Sequence, residues 1–158
     1  MGAEPPFFLP VCERKETMLY TKLTVKAMKI AYKQHLGAED KAGLPYIFHP
    51  YHLAEQMGDD EYAICVALLH DVVEDTDMTF EDLERAGFPE EVITALKCLT
   101  HEDDVPYLGA YIEGIKANPL ARKVKLADLS HNLDSTRLPP AKNEYERREV
   151  IPGPRFYL

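Results

Sequence analysis

A chain of 158 residues, 46% hydrophobic and 28% charged, is long enough for one domain with a real core. No run approaches the ~18 apolar residues of a transmembrane span. Its 27 acids against 18 Lys and Arg leave a formal charge of −9. That balance argues against nonspecific nucleic-acid binding, and it means an anionic substrate needs a metal or a few placed cations. Cys12, Cys65 and Cys98 are odd in number and form no CxxC pair, the pattern of reduced, mostly buried thiols in a cytoplasmic protein.

Residues 1–16 read as an irregular arm. Pro5, Pro6 and Pro10 exclude a helix there, and Phe7, Phe8 and Leu9 are apolar enough to pack. The arm lacks a basic n-region, so it is no signal peptide, and Pro6 stands where an N-myristoylation motif wants Ser or Thr. A long helix is predicted from Thr17 to Leu36, with Leu19, Leu23, Ala27, Ile30 and Ala31 as its apolar stripe and Gly37 as its stop. Two glycines and two prolines make residues 37–50 a loop. His49 precedes Pro50, which predicts an extended backbone at His49, with Pro50 opening a helix through His52–Met57.

Asp59 or Asp60 caps the next helix. Its body, Tyr62-Ala63-Ile64-Cys65-Val66-Ala67-Leu68-Leu69, is apolar nearly all round and reads as buried. It runs into His70-Asp71-Val72-Val73-Glu74-Asp75, which places four ionisable groups within six positions. A charge leaving water there costs roughly several kcal/mol unless it is paired or bound to a metal. On a continuous helix His70 pairs with Glu74 and Asp71 with Asp75 at i,i+4. His70 and Asp71 then point about 100° apart, so an ion over the edge between them reaches both. The pattern reads as half of a divalent-metal site. The plainer alternative is a capped helix end with solvated acids.

Thr79-Phe80-Glu81-Asp82 is a capping signal for a short helix to Arg85 or Ala86, ended by Gly87. Pro89-Glu90-Glu91 opens a helix whose core face is Val92, Ile93, Leu96 and Leu99. His101-Glu102-Asp103-Asp104 reads as a solvated loop and helix cap in preference to a metal cluster. A helix from Pro106 to Ala117 turns Tyr107, Leu108, Tyr111, Ile112 and Ile115 inward. After Asn118-Pro119, residues Leu120 to Leu133 read as another buried helix, on which Asp128 and Asn132 share a face. Pro139-Pro140 breaks the chain, residues 142–150 can form a last helix, and 151–158 are a tail. No strand pattern, repeat or second domain is visible, so the fold class is all-α, one domain over 17–150.

His49, at the mouth of its helix, is a candidate third metal ligand, against the alternative of a core histidine bonded to backbone. Asp128, amid Leu126, Ala127 and Leu129, is a candidate fourth, because a carboxylate in such company needs a partner. The mixed nitrogen and oxygen set of His49, His70, Asp71 and Asp128 suits a divalent transition metal without choosing among manganese, iron, nickel and zinc. Glu74 and Asp75, one turn on, are placed to hold or deprotonate a water.

Gly43 to Pro50, Ala67 to Thr76 and Lys125 to Asn132 together resemble the motifs of the HD-domain metal-dependent phosphohydrolases. Within that superfamily they are similar to the hydrolase domain of Rel/SpoT-type alarmone enzymes and their small stand-alone relatives. The pieces stand in the family's order and span most of residues 17–138. The resemblance implies a single-domain helical HD fold, one Mn2+ held by His49, His70, Asp71 and Asp128, and Glu74 and Asp75 as catalytic acids. The implied reaction is hydrolysis of the 3′-pyrophosphate of guanosine tetra- or pentaphosphate, or of a related nucleotide, in the stringent response of a cytoplasm. The implied partner is that nucleotide, with no nucleic acid and no membrane; oligomeric state stays open. Lys41, Tyr46, Asn132 and Ser135 form the implied substrate-binding set. On this resemblance 158 residues leave no room for a synthetase domain.

Two positions depart from the family. Asp40 stands where an Arg usually stacks on the guanine base, and Leu129 where an Arg commonly follows the metal-binding Asp. Weak base discrimination is therefore expected, with Lys41 able to reach a phosphate, and Asp40→Arg is expected to tighten guanine-nucleotide binding. Two classes of function remain: an active phosphohydrolase, or a nucleotide-binding or scaffold module with little turnover. The intact ligand set with Glu74 and Asp75 favours the enzyme.

Overall fold

The computed structural model describes residues 18–101, 107–134 and 136–137. The expected arm at 1–16, last helix at 142–150 and tail at 151–158 lie outside them. The described elements are helical, with one isolated bridge between Glu39 and Pro45.

Helix α1 spans Lys22–Gln34. It starts later than Thr17 because Thr21 takes the N-cap, its hydroxyl accepting the Thr24 amide at 3.2 Å, and a 3-10 turn at Met18–Tyr20 precedes it. Thr24 is buried, and its hydroxyl donates to Leu19 O at 2.7 Å, so that turn is closed by a bond and not only by packing. Gly37 follows with φ +86°, a left-handed conformation that any side chain would strain. Helix α2 spans Phe48–Glu55. Here the expectation of an extended His49 fails: His49 is helical, and Pro50 sits third in the helix. The first turn has no intrahelical acceptor for its amides, so a proline there loses no bond.

Helix α3, Glu61–Leu69, is the centre of the fold and packs against α1, α2 and the later helices α6 (Glu90–Leu99) and α8 (Pro119–Asn132). Asp60 caps it, accepting the Ala63 amide at 3.0 Å. Residues Ala63 to Leu69 are all buried, as an all-round apolar helix requires. The expectation of one continuous helix through Asp75 is not met. Helix α3 stops at Leu69, His70 and Asp71 form a corner, and a one-turn helix α4, Val72–Asp75, follows. The His70–Glu74 pairing therefore crosses the break, while Asp71 and Asp75 stay one helical turn apart, the Asp75 amide donating to Asp71 O at 2.9 Å. Helix α5, Phe80–Arg85, carries the expected capping box between Thr79 and Asp82.

The core face of α6 is buried at Val92, Ile93, Leu96 and Leu99. A π turn at Tyr107–Tyr111 leads into helix α7, Ile112–Ala117, where one α-helix from Pro106 was expected. The Tyr111 hydroxyl donates to Leu99 O at 2.7 Å and fastens this segment to the end of α6. Asn118 caps α8 through two amides, and Pro119 takes its first position. Helix α8 is less buried than its apolar content predicts. Only Ala121, Val124 and Asp128 are buried, while Leu126 is 48% exposed. One face reaches inward, and Asp128 is on it.

Among the described residues no helix is long and apolar enough to cross a membrane. Cys65 is a buried free thiol, pushed up to about 12 by burial, and Cys98 is a half-buried one. Cys12 lies outside the described residues.

Candidate metal centre

Three helix ends converge. The first turn of α2 supplies His49, the corner after α3 supplies His70 and Asp71, and the inward face of α8 supplies Asp128. One ligand atom from each of His49, His70 and Asp71 lies within 4.8 Å of the others. Asp128 joins through His49: its Oδ1 is 3.2 Å from His49 Nε2. The same oxygen accepts Asn132 Nδ2 at 2.7 Å, and Lys125 Nζ donates to Oδ2 at 3.0 Å.

The geometry around His70 fits a cation. His70 Nδ1 lies 2.8 Å from Ala67 O, a carbonyl that can only accept, so Nδ1 carries a proton. The neutral ring then has a bare lone pair on Nε2. That atom is buried and has no hydrogen-bond partner of acceptable angle, although Asp71 Oδ2 is 2.9 Å away. Two bare acceptors facing at that distance repel, so either a proton or a cation belongs between them. Two ligands at about 2.1 Å from an ion and at right angles lie about 3 Å apart. The separations of 2.9 Å and 3.2 Å are thus those of neighbouring ligands on one ion. Two imidazoles and two carboxylates match a divalent transition metal.

The charges are mutually dependent. Burial opposes ionisation of His70, but Asp71 and Asp128 outweigh it and raise its pKa to about 9. Burial also opposes the charge on Asp71, and His70 with the Tyr46 hydroxyl more than offsets this, holding it down to about 2. Asp128 is held below the usual carboxylate range in spite of its burial by His49, His70 and Lys125. Tyr46 donates its hydroxyl to Asp71 Oδ2. That phenol is pushed well above its ordinary range, by burial and then by Asp71, and stays a donor.

A cleft of about 420 Å³ opens beside the cluster, bordered by His70, Asp71, Glu74, Lys125 and Asp128. It is large enough for part of a small ligand. Glu74 is exposed at its rim, where Glu74 Oε2 accepts the His101 amide at 3.0 Å. Asp75 is also exposed, yet partial desolvation, then repulsion from Asp71 and Glu74, raises its carboxyl above its usual range. A carboxyl shifted that way exchanges protons more readily near neutral pH. A more apolar groove of about 570 Å³ runs past Tyr32, Leu36, Phe48 and Tyr51. None of His49, His70, Asp71 and Asp128 borders it, so the polar cleft is the one that meets the cluster.

No protein-family model matches the chain. Individual proteins do. Over 139 residues it is 34% identical to a probable GTP pyrophosphokinase of Mycobacterium leprae, covering 80% of this chain and 17% of that protein. Over 132 residues it is 31% identical to a guanosine-3′,5′-bis(diphosphate) 3′-pyrophosphohydrolase of Aquifex aeolicus, covering 79% of this chain and 19% of that one. A solved structure, described as a metazoan ortholog of SpoT that hydrolyzes ppGpp, superposes with a TM-score of 0.67 at 28% identity, over 82% of this chain and 79% of that chain. Over about four fifths of its length the chain is similar to Rel/SpoT-type proteins.

The chain spans less than a fifth of the length of these two curated relatives. Its all-α architecture is that of the SpoT ortholog. Of the expected substrate-binding set, Tyr46 touches Asp71 and Asn132 touches Asp128, Lys41 is exposed on the α1–α2 loop, and Ser135 lies outside the described residues. Asp40 is not a bare charge. Its Oδ1 accepts the Ala42 and Leu44 amides at 2.8 and 3.0 Å, and its Oδ2 pairs with Arg137 at 3.1 Å. Burial opposes ionisation of Asp40, and those amides with Arg137 more than offset it, so its carboxyl sits below its usual range.

Sequence reasoning passed over His131 and Arg137. Arg137 Nη1 donates to His131 O at 2.9 Å, and the His131 ring stacks on His52 and lies nearly coplanar, edge to edge, with His49. Burial first, then the charge of Arg137, lowers its pKa to about 4. The one available signal was its i,i+3 spacing from Asp128, which puts both on one face of α8.

Proposed function

We propose that this chain hydrolyses the 3′-pyrophosphate of guanosine tetra- or pentaphosphate, or of a closely related nucleotide. Water adds at the phosphorus bound to the ribose 3′-oxygen, that P–O bond breaks, and the products are a 3′-hydroxyl and pyrophosphate. One observation carries the reading: the convergence of His49, His70 and Asp71 within 4.8 Å, beside a cleft rimmed by Glu74. The names of the Aquifex and metazoan relatives point the same way.

His49, His70, Asp71 and Asp128 would hold one divalent ion, for which manganese is our assignment. Bound there, the ion would neutralise phosphate charge and acidify a water. The remaining chemistry is assigned to side chains. Glu74 accepts a proton from the attacking water, and Asp75, with its raised pKa, is placed to return one to the leaving 3′-oxygen. Tyr46 holds Asp71 in place by its hydroxyl, and Asn132 with Lys125 does so for Asp128. Lys41 meets phosphate from the loop side, and Ser135 completes the substrate set. The compartment implied is the cytoplasm.

The test is purified protein with manganese, offered guanosine tetraphosphate, NADPH and ordinary nucleoside triphosphates, with release of pyrophosphate and phosphate followed. Pyrophosphate from guanosine tetraphosphate is expected. Binding without any turnover would make the chain a nucleotide-binding module instead.

A further inference from the structure

We propose that His131 is a positioning residue of the metal centre, accepting a hydrogen bond from His49 Nδ1 and so fixing the tautomer and angle of that ligand. The proposal rests on the metal-dependent reading above and deepens it.

Helix α8 grips one imidazole by both nitrogens. Asp128 faces His49 Nε2, with Oδ1 at 3.2 Å. His131, three residues on and on the same face of the helix, brings its Nδ1 to 2.6 Å from His49 Nδ1. At that distance one Nδ1 must carry a proton and the other a lone pair. Without a cation, His49 can direct its proton at Asp128 and take one from His131. With a cation at Nε2, that nitrogen has to be bare, so the neutral ring holds its proton on Nδ1 and donates to His131. Loading the site therefore sets the direction of the bond, and His131 supplies the acceptor that this state needs.

The two metal-facing histidines differ in this respect. His70 spends its Nδ1 on a main-chain carbonyl, Ala67 O, which no substitution removes. His49 spends its Nδ1 on a side chain. That side chain is itself held, stacked on His52 at 4.3 Å between ring centroids. Its carbonyl takes Arg137 Nη1 at 2.9 Å. An acceptor fixed by a stack and a main-chain bond restrains its donor more than a solvated one does.

Three variants separate positioning from packing. His131→Phe keeps a ring to stack and loses the acceptor. His131→Asn loses the ring and keeps a carbonyl oxygen near the place of Nδ1. His131→Ala loses both. Manganese affinity is measured by calorimetry on the full chain after chelator treatment, with a thermal melt of each variant. The expected result is a 10- to 100-fold weaker affinity for His131→Phe and His131→Ala, the usual range for an outer-shell partner, with His131→Asn within a few-fold of wild type. Wild-type affinity in folded His131→Phe, or an equal loss in Phe and Asn, overturns the proposal. Should a variant not fold, nitrogen-15 spectra of the wild-type protein loaded with zinc decide the matter. His49 Nδ1 should be protonated and His131 Nδ1 bare, and the reverse overturns the proposal. A wild type that takes up no divalent ion overturns the metal reading itself.

Discussion

His70 and Asp71 leave the end of α3, whose residues 63–69 are all buried, whereas Asp40 and Lys41 sit on a turn between α1 and α2 that is largely exposed. At the first place the side chains face a common point, and their identity follows from coordination chemistry. At the second, a residue with the wrong charge for a phosphate ligand is absorbed by its surroundings. Asp40 folds the loop over its own carboxylate and takes Arg137 as its counter-ion. A buried site tolerates few chemistries, because each unpaired charge there is costly. A surface turn can re-spend a carboxylate on local amides. The cluster after α3 therefore holds each of its charges by another, while the loop end can take up a change of charge locally.

The largest effect should come from removing a ligand at the buried end. Asp71→Ala should lose the divalent ion and all turnover, and it strands both the Tyr46 hydroxyl and His70. Metal content after desalting checks this, and full stoichiometry in a folded Asp71→Ala would sink the ligand assignment. Glu74→Gln stands one step out from the ligands. It should keep the ion and lower kcat by roughly 10²–10⁴-fold, the range for a general base or acid. A wild-type rate in that variant would leave Glu74 without a chemical role.

The pH dependence of metal uptake tests the same end without a substitution. The metal-free His70 holds its proton up to about 9, because Asp71 and Asp128 outweigh the effect of burial. A cation must displace that proton, so between pH 6 and 8 the apparent affinity should rise with pH by about tenfold per unit. For folding of the metal-free protein the sign is opposite. A raised His pKa contributes stability that is fully present below its unfolded value of about 6.5 and is lost as pH rises through about 9. Metal affinity independent of pH over that window would show that His70 is already bare.

The smallest effect belongs to the loop. Read from the sequence, Asp40→Arg should tighten guanine-nucleotide binding. With Arg137 at 3.1 Å from Asp40 the expectation changes. The variant sets two guanidinium groups together and removes the acceptor of two amides, so it should destabilise the fold by about 1 kcal/mol, the common size for such a loss. Asp40→Asn, which keeps an amide-accepting oxygen, should cost about half of that or less. Thermal melts give both numbers, and a more stable Asp40→Arg would show that the Asp40–Arg137 pair contributes nothing.

Helix existence was legible because its signals are local. The Thr79–Asp82 capping box, the Asp60 cap and the Asn118–Pro119 start are bonds between residues two or three apart, and such bonds need no tertiary context. The all-round apolar character of α3 likewise admits only a central place. Boundaries were less legible. The proline after His49 predicts an extended backbone, yet His49 is helical, because a first-turn proline costs the helix no bond. The break at His70 and Asp71 has no glycine or proline to announce it, so periodicity ran straight through.

The sequence by itself determined that helices dominate, that α3 is central, and that His70, Asp71 and Asp128 sit where burial demands a partner. Each of those follows from composition within a turn or two. Only the tertiary structure decided which groups meet. His49 and His131 are 82 residues apart, and Asp40 and Arg137 are 97 apart. Their contacts depend on how α2 and the α1–α2 loop lie against the end of α8. That is set by the packing of buried faces, and no local pattern around either partner encodes it.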